Sequence, residues 1–211
     1  MDLLLATSNP GKVAELRELL AGLPVTFRTL VEFPDVPDCP ENEPTFEGNA
    51  IVKAKYYAER TGLPTLADDG GIEIDTLDGW PGVHSRRLFG DGRRATDEEM
   101  ITEVLRRMEG IPRERRGCQM RSVVAFVVPG GTIGTGEGID RGVIVEKASP
   151  YRIPGFPFRS IFFHPGEGMT TAEAVERGAR MADVMTHRRH AIAQLLRKLT
   201  EWLTEHSTSP K

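Results

Sequence analysis

The chain has 211 residues, 39% hydrophobic and 27% charged, enough for one large domain or two joined lobes and too apolar for a disordered polymer. A formal charge of −4 excludes a global field that attracts nucleic acid, and the two thiols, Cys39 and Cys118, are too few for a disulfide scaffold or a zinc cluster, so any metal is expected on oxygen ligands. No apolar run approaches the ~18 residues that span a bilayer, and MDLLLATSNP lacks the basic start and long apolar core of a secretory signal, so the expectation is a cytoplasmic protein that engages neither membrane nor nucleic acid polymer.

Leu3 to Ala6 is a short apolar run that enters Thr7-Ser8-Asn9-Pro10-Gly11-Lys12, after which Val13, Leu16, Leu19 and Leu20 recur at helical spacing. The reading is strand, polar loop, amphipathic helix. Residues 32–44 carry four prolines among acidic side chains and read as an extended surface loop. Thr45 is expected to cap a helix reaching about Thr61, with Ala50, Ala54, Tyr57 and Ala58 on one face and Gly62 as its stop. A strand from Pro64 to Ala67 is expected to break at Asp68-Asp69-Gly70-Gly71, leaving two carboxylates at a strand end, before Ile72 and Ile74 begin another.

Thr96 and Glu99 form a capping box for a helix through Met108 that stops at Gly110 and Pro112. Residues 121–128, 131–139 and 142–147 read as three strands of an antiparallel meander, with turns at Pro129-Gly130-Gly131 and Asp140-Arg141. Residues 151–165 hold three prolines and five aromatics and are expected to line a site. Helices are expected from about Thr171 to Arg180 and from His187 to Leu203, the latter burying Ala191, Leu195, Leu199 and Trp202, with 206–211 as a frayed tail. The fold class is therefore α/β (mixed α+β) with a mixed sheet, in a domain of residues 1–205.

Three constellations can carry chemistry. Hydroxyls, an amide, freed backbone N–H groups and an ammonium at the Thr7–Lys12 turn are the parts of a phosphate site, although the same residues also serve a plain strand-to-helix turn; the spacing of a Walker A loop is absent. Asp68 and Asp69, with Glu41 in the acidic loop, suit a hard cation such as Mg2+, the alternative being an aspartate turn. Thr186-His187-Arg188-Arg189-His190 opens the last helix as an anion- or carbonyl-binding start or as a solvated basic face, with no third ligand to make His187 and His190 a metal pair.

Taken in order, several segments resemble the inosine triphosphate pyrophosphatase family, the non-canonical purine nucleoside triphosphate pyrophosphatases, from Leu4 to about Leu199. They are Thr7 to Lys12, Thr45-Phe46 with Asn49-Ala50 and Lys53-Ala54, Ala67-Asp68-Asp69 with Gly71, Pro81-Gly82-Val83 with Ser85 and Arg87, Gly155-Phe156 with Ile161-Phe162, and Thr186-His187-Arg188. The resemblance implies a long mixed sheet flanked by helices, two lobes with a cleft between them, a homodimer, and Mg2+-dependent hydrolysis of ITP, dITP or XTP to the monophosphate and pyrophosphate. It places the triphosphate on Thr7, Ser8, Asn9, Pro10, Gly11, Lys12 and Gly70. The metal falls on Glu41, Asp69 and Asp68, with Asp69 also the base that activates water. Phe156, Pro157, Phe158, Arg159, His187 and Arg188 receive the nucleobase.

The departures cluster at the base end. Where relatives read Phe-Gly-Tyr-Asp-Pro this chain has Phe156-Pro157-Phe158-Arg159-Ser160; a usual lysine falls on Ala182, and a usual serine on Thr186. Gly70 replaces a serine and Gly48 a helix glutamate. These changes leave two further readings open: the same hydrolysis on a pyrimidine or modified nucleotide, and nucleotide binding with little turnover.

Overall fold

A computed structural model describes residues 1–90, 93–131 and 133–207, and of Ile133, Met181, Ala182 and Ser207 the backbone only. β1 (Asp2–Leu5) leads into α1 (Pro10–Leu19) through Asn9, whose Oδ1 accepts the N–H groups of Gly11 at 2.9 Å and Lys12 at 3.4 Å. A proline at the first helical position loses nothing, because that N–H has no partner inside the helix. β2 (Thr26–Thr29) precedes α2 (Phe46–Thr61), which Thr45 caps and Gly62 ends with φ +70°, a left-handed conformation that glycine adopts without a Cβ clash. Then follow β3 (Thr65–Ile74), α3 (Asp97–Arg107) with its Thr96–Glu99 capping box, β4 (Gly117–Val127) and β5 (Ile133–Ile144). The chain closes with β6 (Phe162–His164), β7 (Met169–Thr170), α4 (Thr171–Glu176), α5 (Met181–Val184) and α6 (His187–Ser207).

The strands form one mixed sheet in the order β2-β1-β3-β4-β5-β6-β7. β1 runs parallel to β2 and β3, with Leu5 opposite Thr29 and Leu66, whereas β6 is antiparallel to β5 and β7. The chain groups into two compact units, residues 1–69, 122–138 and 188–211 in the first and 70–121 with 139–187 in the second. In the first, Leu3, Leu5, Leu16, Leu66, Phe126 and Leu195 share a buried core against which Trp202 packs. In the second, Ile72, Ile74, Met100, Val104, Phe158 and Phe162 do so.

One close approach fixes α6 on its strand. A Cβ at Gly136 would lie 2.1 Å from the carbonyl oxygen of Ala191, inside any allowed contact. Gln194 of α6 clasps the same strand, donating from Nε2 to the Glu137 carbonyl at 2.7 Å and accepting the Glu137 N–H at 3.1 Å.

Several expectations are corrected. β3 runs unbroken through Asp68-Asp69-Gly70-Gly71, so the aspartates lie within a strand and not at its end. A break is the natural expectation because bare carboxylates do not sit in a buried strand; here Asp68 is compensated by two cations. β5 likewise passes through Asp140-Arg141, since Asp140 accepts hydrogen bonds from Thr186 and His187 and Arg141 pairs with Asp75, and the predicted meander has two strands in place of three. Thr132, inside the predicted second strand, lies outside the described residues. α4 stops early at Arg177 and Gly178, the latter at φ +93°, and a separate short helix, α5, follows. α6 continues through His206 to Ser207, past the boundary expected at 205, while 208–211 lie outside the described residues.

Candidate active site

Strand geometry separates the two aspartates. Successive side chains of a strand point to opposite faces, so Asp68 and Asp69 project to opposite sides of β3, although Lys12 and Lys53 act on both.

Asp68, fully buried, faces α1 and α6. Its Oδ2 receives Lys12 Nζ at 2.9 Å and Arg188 Nε and Nη2 at 3.1 and 3.0 Å, and Arg188 Nη1 reaches Glu15 Oε2 at 2.7 Å. Burial by itself would raise the Asp68 pKa, but Lys12, Arg188 and Lys53 outweigh it and hold the carboxyl below the usual carboxylate range. Lys12, Glu15 and Arg188 thus belong to one buried network with alternating charge. Asp68, which the resemblance offers as a third metal ligand, has Oδ2 serving two cations while its buried Oδ1 has no hydrogen-bond partner among the described residues. Arg188, expected at the nucleobase edge, spends three of its N–H donors on Asp68 and Glu15.

Asp69 faces α2, where Asn49 hydrogen-bonds its carboxylate and Lys53 and Glu41 lie close. Lys53 Nζ pairs with Glu41 Oε1 and donates to the Asp68 carbonyl at 3.1 Å. Asn49 Oδ1 meanwhile accepts the Glu43 N–H at 3.0 Å, tying the acidic loop to the helix. The Asp69 pKa is raised, first by burial and further by Glu41, against the opposing pull of Lys53 and Lys12. Among the neighbouring charges, the one that raises it is therefore Glu41. Burial works against the charge on Lys53, yet Asp69, Glu41 and Asp68 keep its pKa above the ordinary lysine value.

At the Thr7–Lys12 turn, Ser8 and Pro10 are exposed and Thr7, Asn9, Gly11 and Lys12 half-buried. Thr7 Oγ1 accepts the Asn9 N–H at 3.2 Å, and Asn9 in turn takes the N–H groups of Gly11 and Lys12, which the sequence leaves open for phosphate. Lys12 stays 18% accessible, so its ammonium can meet a ligand while Asp68 holds it. Gly70 is half-buried next to Asp69.

The residues expected at the base lie in the second unit, except Arg188. Pro157, Phe158 and Arg159 are buried in a tight 3₁₀ turn, Phe158 as part of the hydrophobic core. The Arg159 guanidinium lies 3.6 Å over the centroid of half-buried Phe156, a cation–π contact that excludes a solvent-facing side chain. His187 is 2% accessible and anchored through Nδ1 to Asp140 Oδ2 at 2.9 Å.

Asn49, Lys53, Glu15 and Asp140 are not singled out as site residues by the sequence. Three of them carry a signal: Glu15 follows Lys12 by three residues and Lys53 follows Asn49 by four, so each pair shares a helix face next to buried positions. Asp140 carries none, because an Asp-Arg pair between apolar runs looks like a turn.

The model of the Ham1 family matches residues 3–198. A dITP/XTP pyrophosphatase of Geobacter sulfurreducens is 40% identical over 193 residues, 92% of this chain and 94% of that protein. One from Thermus thermophilus is 42% identical over 198 residues, covering 93% and 90%. Among solved structures, a HAM1 protein from Coxiella burnetii aligns with a TM-score of 0.78 at 34% identity, over 97% of this chain and 99% of that one.

Proposed function

Because the chain belongs to the Ham1 family, we propose that it hydrolyses non-canonical purine nucleoside triphosphates, ITP, dITP and XTP, to the monophosphate and pyrophosphate. The observation that carries this reading is the grouping of Asp69 with Glu41, Asn49 and Lys53, one raised carboxyl set between a second carboxylate and an ammonium. Asp69 accepts the proton of the attacking water; a pKa above the ordinary aspartate value makes it a better base. Asn49 orients that carboxylate by hydrogen bonding, and Lys53 offsets the charge on Glu41. Lys12, anchored by Asp68, meets the phosphate charge.

The donor set fits a divalent cation of the Mg2+ type. Glu41 and Asp69 are two hard oxygen donors facing one region, no group of three or more His, Cys, Asp or Glu suited to a metal occurs among the described residues, and Mg2+ takes one or two carboxylates plus substrate phosphates. When bound it neutralises charge developing on the phosphoryl group. The expected homodimer is part of the proposal, checked by light scattering. No helix among the described residues is long and apolar enough to cross a membrane.

Pyrophosphate release from ITP, XTP, GTP, ATP and dTTP, with Mg2+ and with EDTA, tests the assignment. Preference for ITP and XTP with loss of turnover in EDTA supports it. Preference for dTTP assigns a pyrimidine substrate, and binding without release assigns a nucleotide-binding protein. Lys12→Ala is expected to raise KM several-fold by a factor that is the same for ITP and dTTP, since a phosphate contact carries no base information; steady-state kinetics on both substrates check this, and a strongly base-dependent factor places Lys12 at the base.

A further inference from the structure

Three rungs join the acidic loop to α2. The Tyr57 hydroxyl accepts the Cys39 N–H at 3.3 Å, Lys53 Nζ pairs with Glu41 Oε1, and Asn49 Oδ1 accepts the Glu43 N–H at 3.0 Å. Loop positions advance by two while helix positions fall back by four, so the segment runs antiparallel to α2. The spacing matches, since two extended residues span ~6.6 Å and four helical residues ~6.0 Å. Cys39 and Glu41 are half-buried whereas Asp38, Pro40 and Asn42 are exposed, the alternation of an extended chain with one face on the helix. Both outer rungs come from residues that precede a proline, Cys39 before Pro40 and Glu43 before Pro44. The proline ring disfavours helical backbone at such positions, so the loop meets α2 already extended.

The rungs differ in what they grip. Lys53 holds the Glu41 side chain by charge, a contact that competes with any cation for the same carboxylate. Tyr57 and Asn49 instead hold main-chain N–H groups two residues to either side, which sets the Glu41 backbone without engaging its carboxylate. Asn49 also hydrogen-bonds Asp69. Tyr57 is 4% accessible on the apolar face of α2 with Ala50, Ala54 and Ala58, where a phenyl ring would fill the same space. What the phenol adds there is the partner its hydroxyl reaches.

We infer that Tyr57 is a positioning residue for the acidic loop: through the Cys39 N–H it holds Glu41 near Asp69 in the arrangement that takes a divalent cation. The inference rests on the reading that Glu41 and Asp69 hold that cation. Its physical content is preorganisation, because a loop fixed beforehand spends less of the binding free energy on being ordered.

The test is Mn2+ binding, read from the loss of the free ion's paramagnetic resonance signal, in wild type, Tyr57→Phe, Glu41→Gln and the double variant. Tyr57→Phe is expected to raise Kd about two- to tenfold, the span of one hydrogen bond, while KM for ITP at saturating Mg2+ stays unchanged. The double variant is expected to match Glu41→Gln, because Tyr57 acts through that carboxylate. Hydrogen exchange over residues 38–43 should quicken in Tyr57→Phe while α2 stays protected, the mark of a released loop in a folded chain. If Glu41→Gln weakens Mn2+ binding and Tyr57→Phe does not, the inference is overturned while the metal reading stands. A Tyr57→Phe effect that persists undiminished in the double variant also overturns it, since Tyr57 then acts by another route. If Glu41→Gln binds Mn2+ as tightly as wild type, the metal reading itself is wrong and the inference falls with it.

Discussion

Asp69→Asn should release pyrophosphate from ITP at about one-hundredth of the wild-type kcat or less, the usual scale for losing a positioned general base. The amide keeps the shape and the Asn49 contact but can neither accept the proton of water nor offer a charged oxygen to a cation. KM should change far less, because Lys12 and the Thr7–Lys12 turn are untouched. Asp68→Asn provides the contrast. It faces the opposite side of β3, so its loss should appear as weakened Lys12 placement, a KM effect, with kcat reduced much less. Single-turnover kinetics on both variants check the split, and equal kcat losses would mean that the two carboxylates act as one unit.

Arg188→Met should destabilise the fold by about 3–5 kcal/mol, the range for removing one partner of a buried ionic group. Arg188 is 3% accessible and lies between Asp68 and Glu15, both buried, so its removal takes a counter-charge from both carboxylates and leaves Asp68 with Lys12. The loss has a pH signature. Asp68 titrates below its unfolded value of about 3.9, so its contribution is present above about pH 4 and is lost as the pH falls through the native value. In the variant, burial without the guanidinium favours the protonated carboxyls. The gap between wild type and variant should therefore be widest near pH 7 and narrow toward pH 3, as urea denaturation across that range would show. A gap that stayed constant would mean the guanidinium contributes by packing alone.

Local signals in the sequence are sufficient for both ends of α2 and the start of α3: Thr45, Gly62, Thr96 and Glu99 act within one turn of themselves, and each does what its chemistry requires. The residues proposed for the phosphate side, Lys12 and Asp69, are named from the sequence for the same reason, because they lie in short motifs that also carry the family resemblance. What cannot be read locally is compensation across long sequence separation. Asp68 looks like a turn residue until Arg188, 120 positions away, supplies its counter-charge. Asp140-Arg141 looks like a hairpin until Thr186 and Asp75 occupy it. Arg159, which the resemblance places at the nucleobase, is buried with its guanidinium over the ring of Phe156, three residues earlier. In each case a polar residue is judged by the cost of burying it alone, and the fold removes that cost with a partner the local window does not contain.

Gly136 makes the charge network answerable to a position that carries no functional group. The carbonyl of Ala191 rests where a methyl would be, so the thickness of the strand–helix contact is set by a missing atom, and α6 bears Arg188 one turn earlier on the same rigid rod. Any side chain at 136 must lever that helix outward or tilt it, and the guanidinium cannot follow both Asp68 and Glu15 through such a shift at hydrogen-bond length. The mutational tolerance of this β5 position is therefore governed by the electrostatics of residues it never touches. Stabilising substitutions, in design or in drift, have to leave that glycine alone even though it lies outside every motif by which the site is recognised.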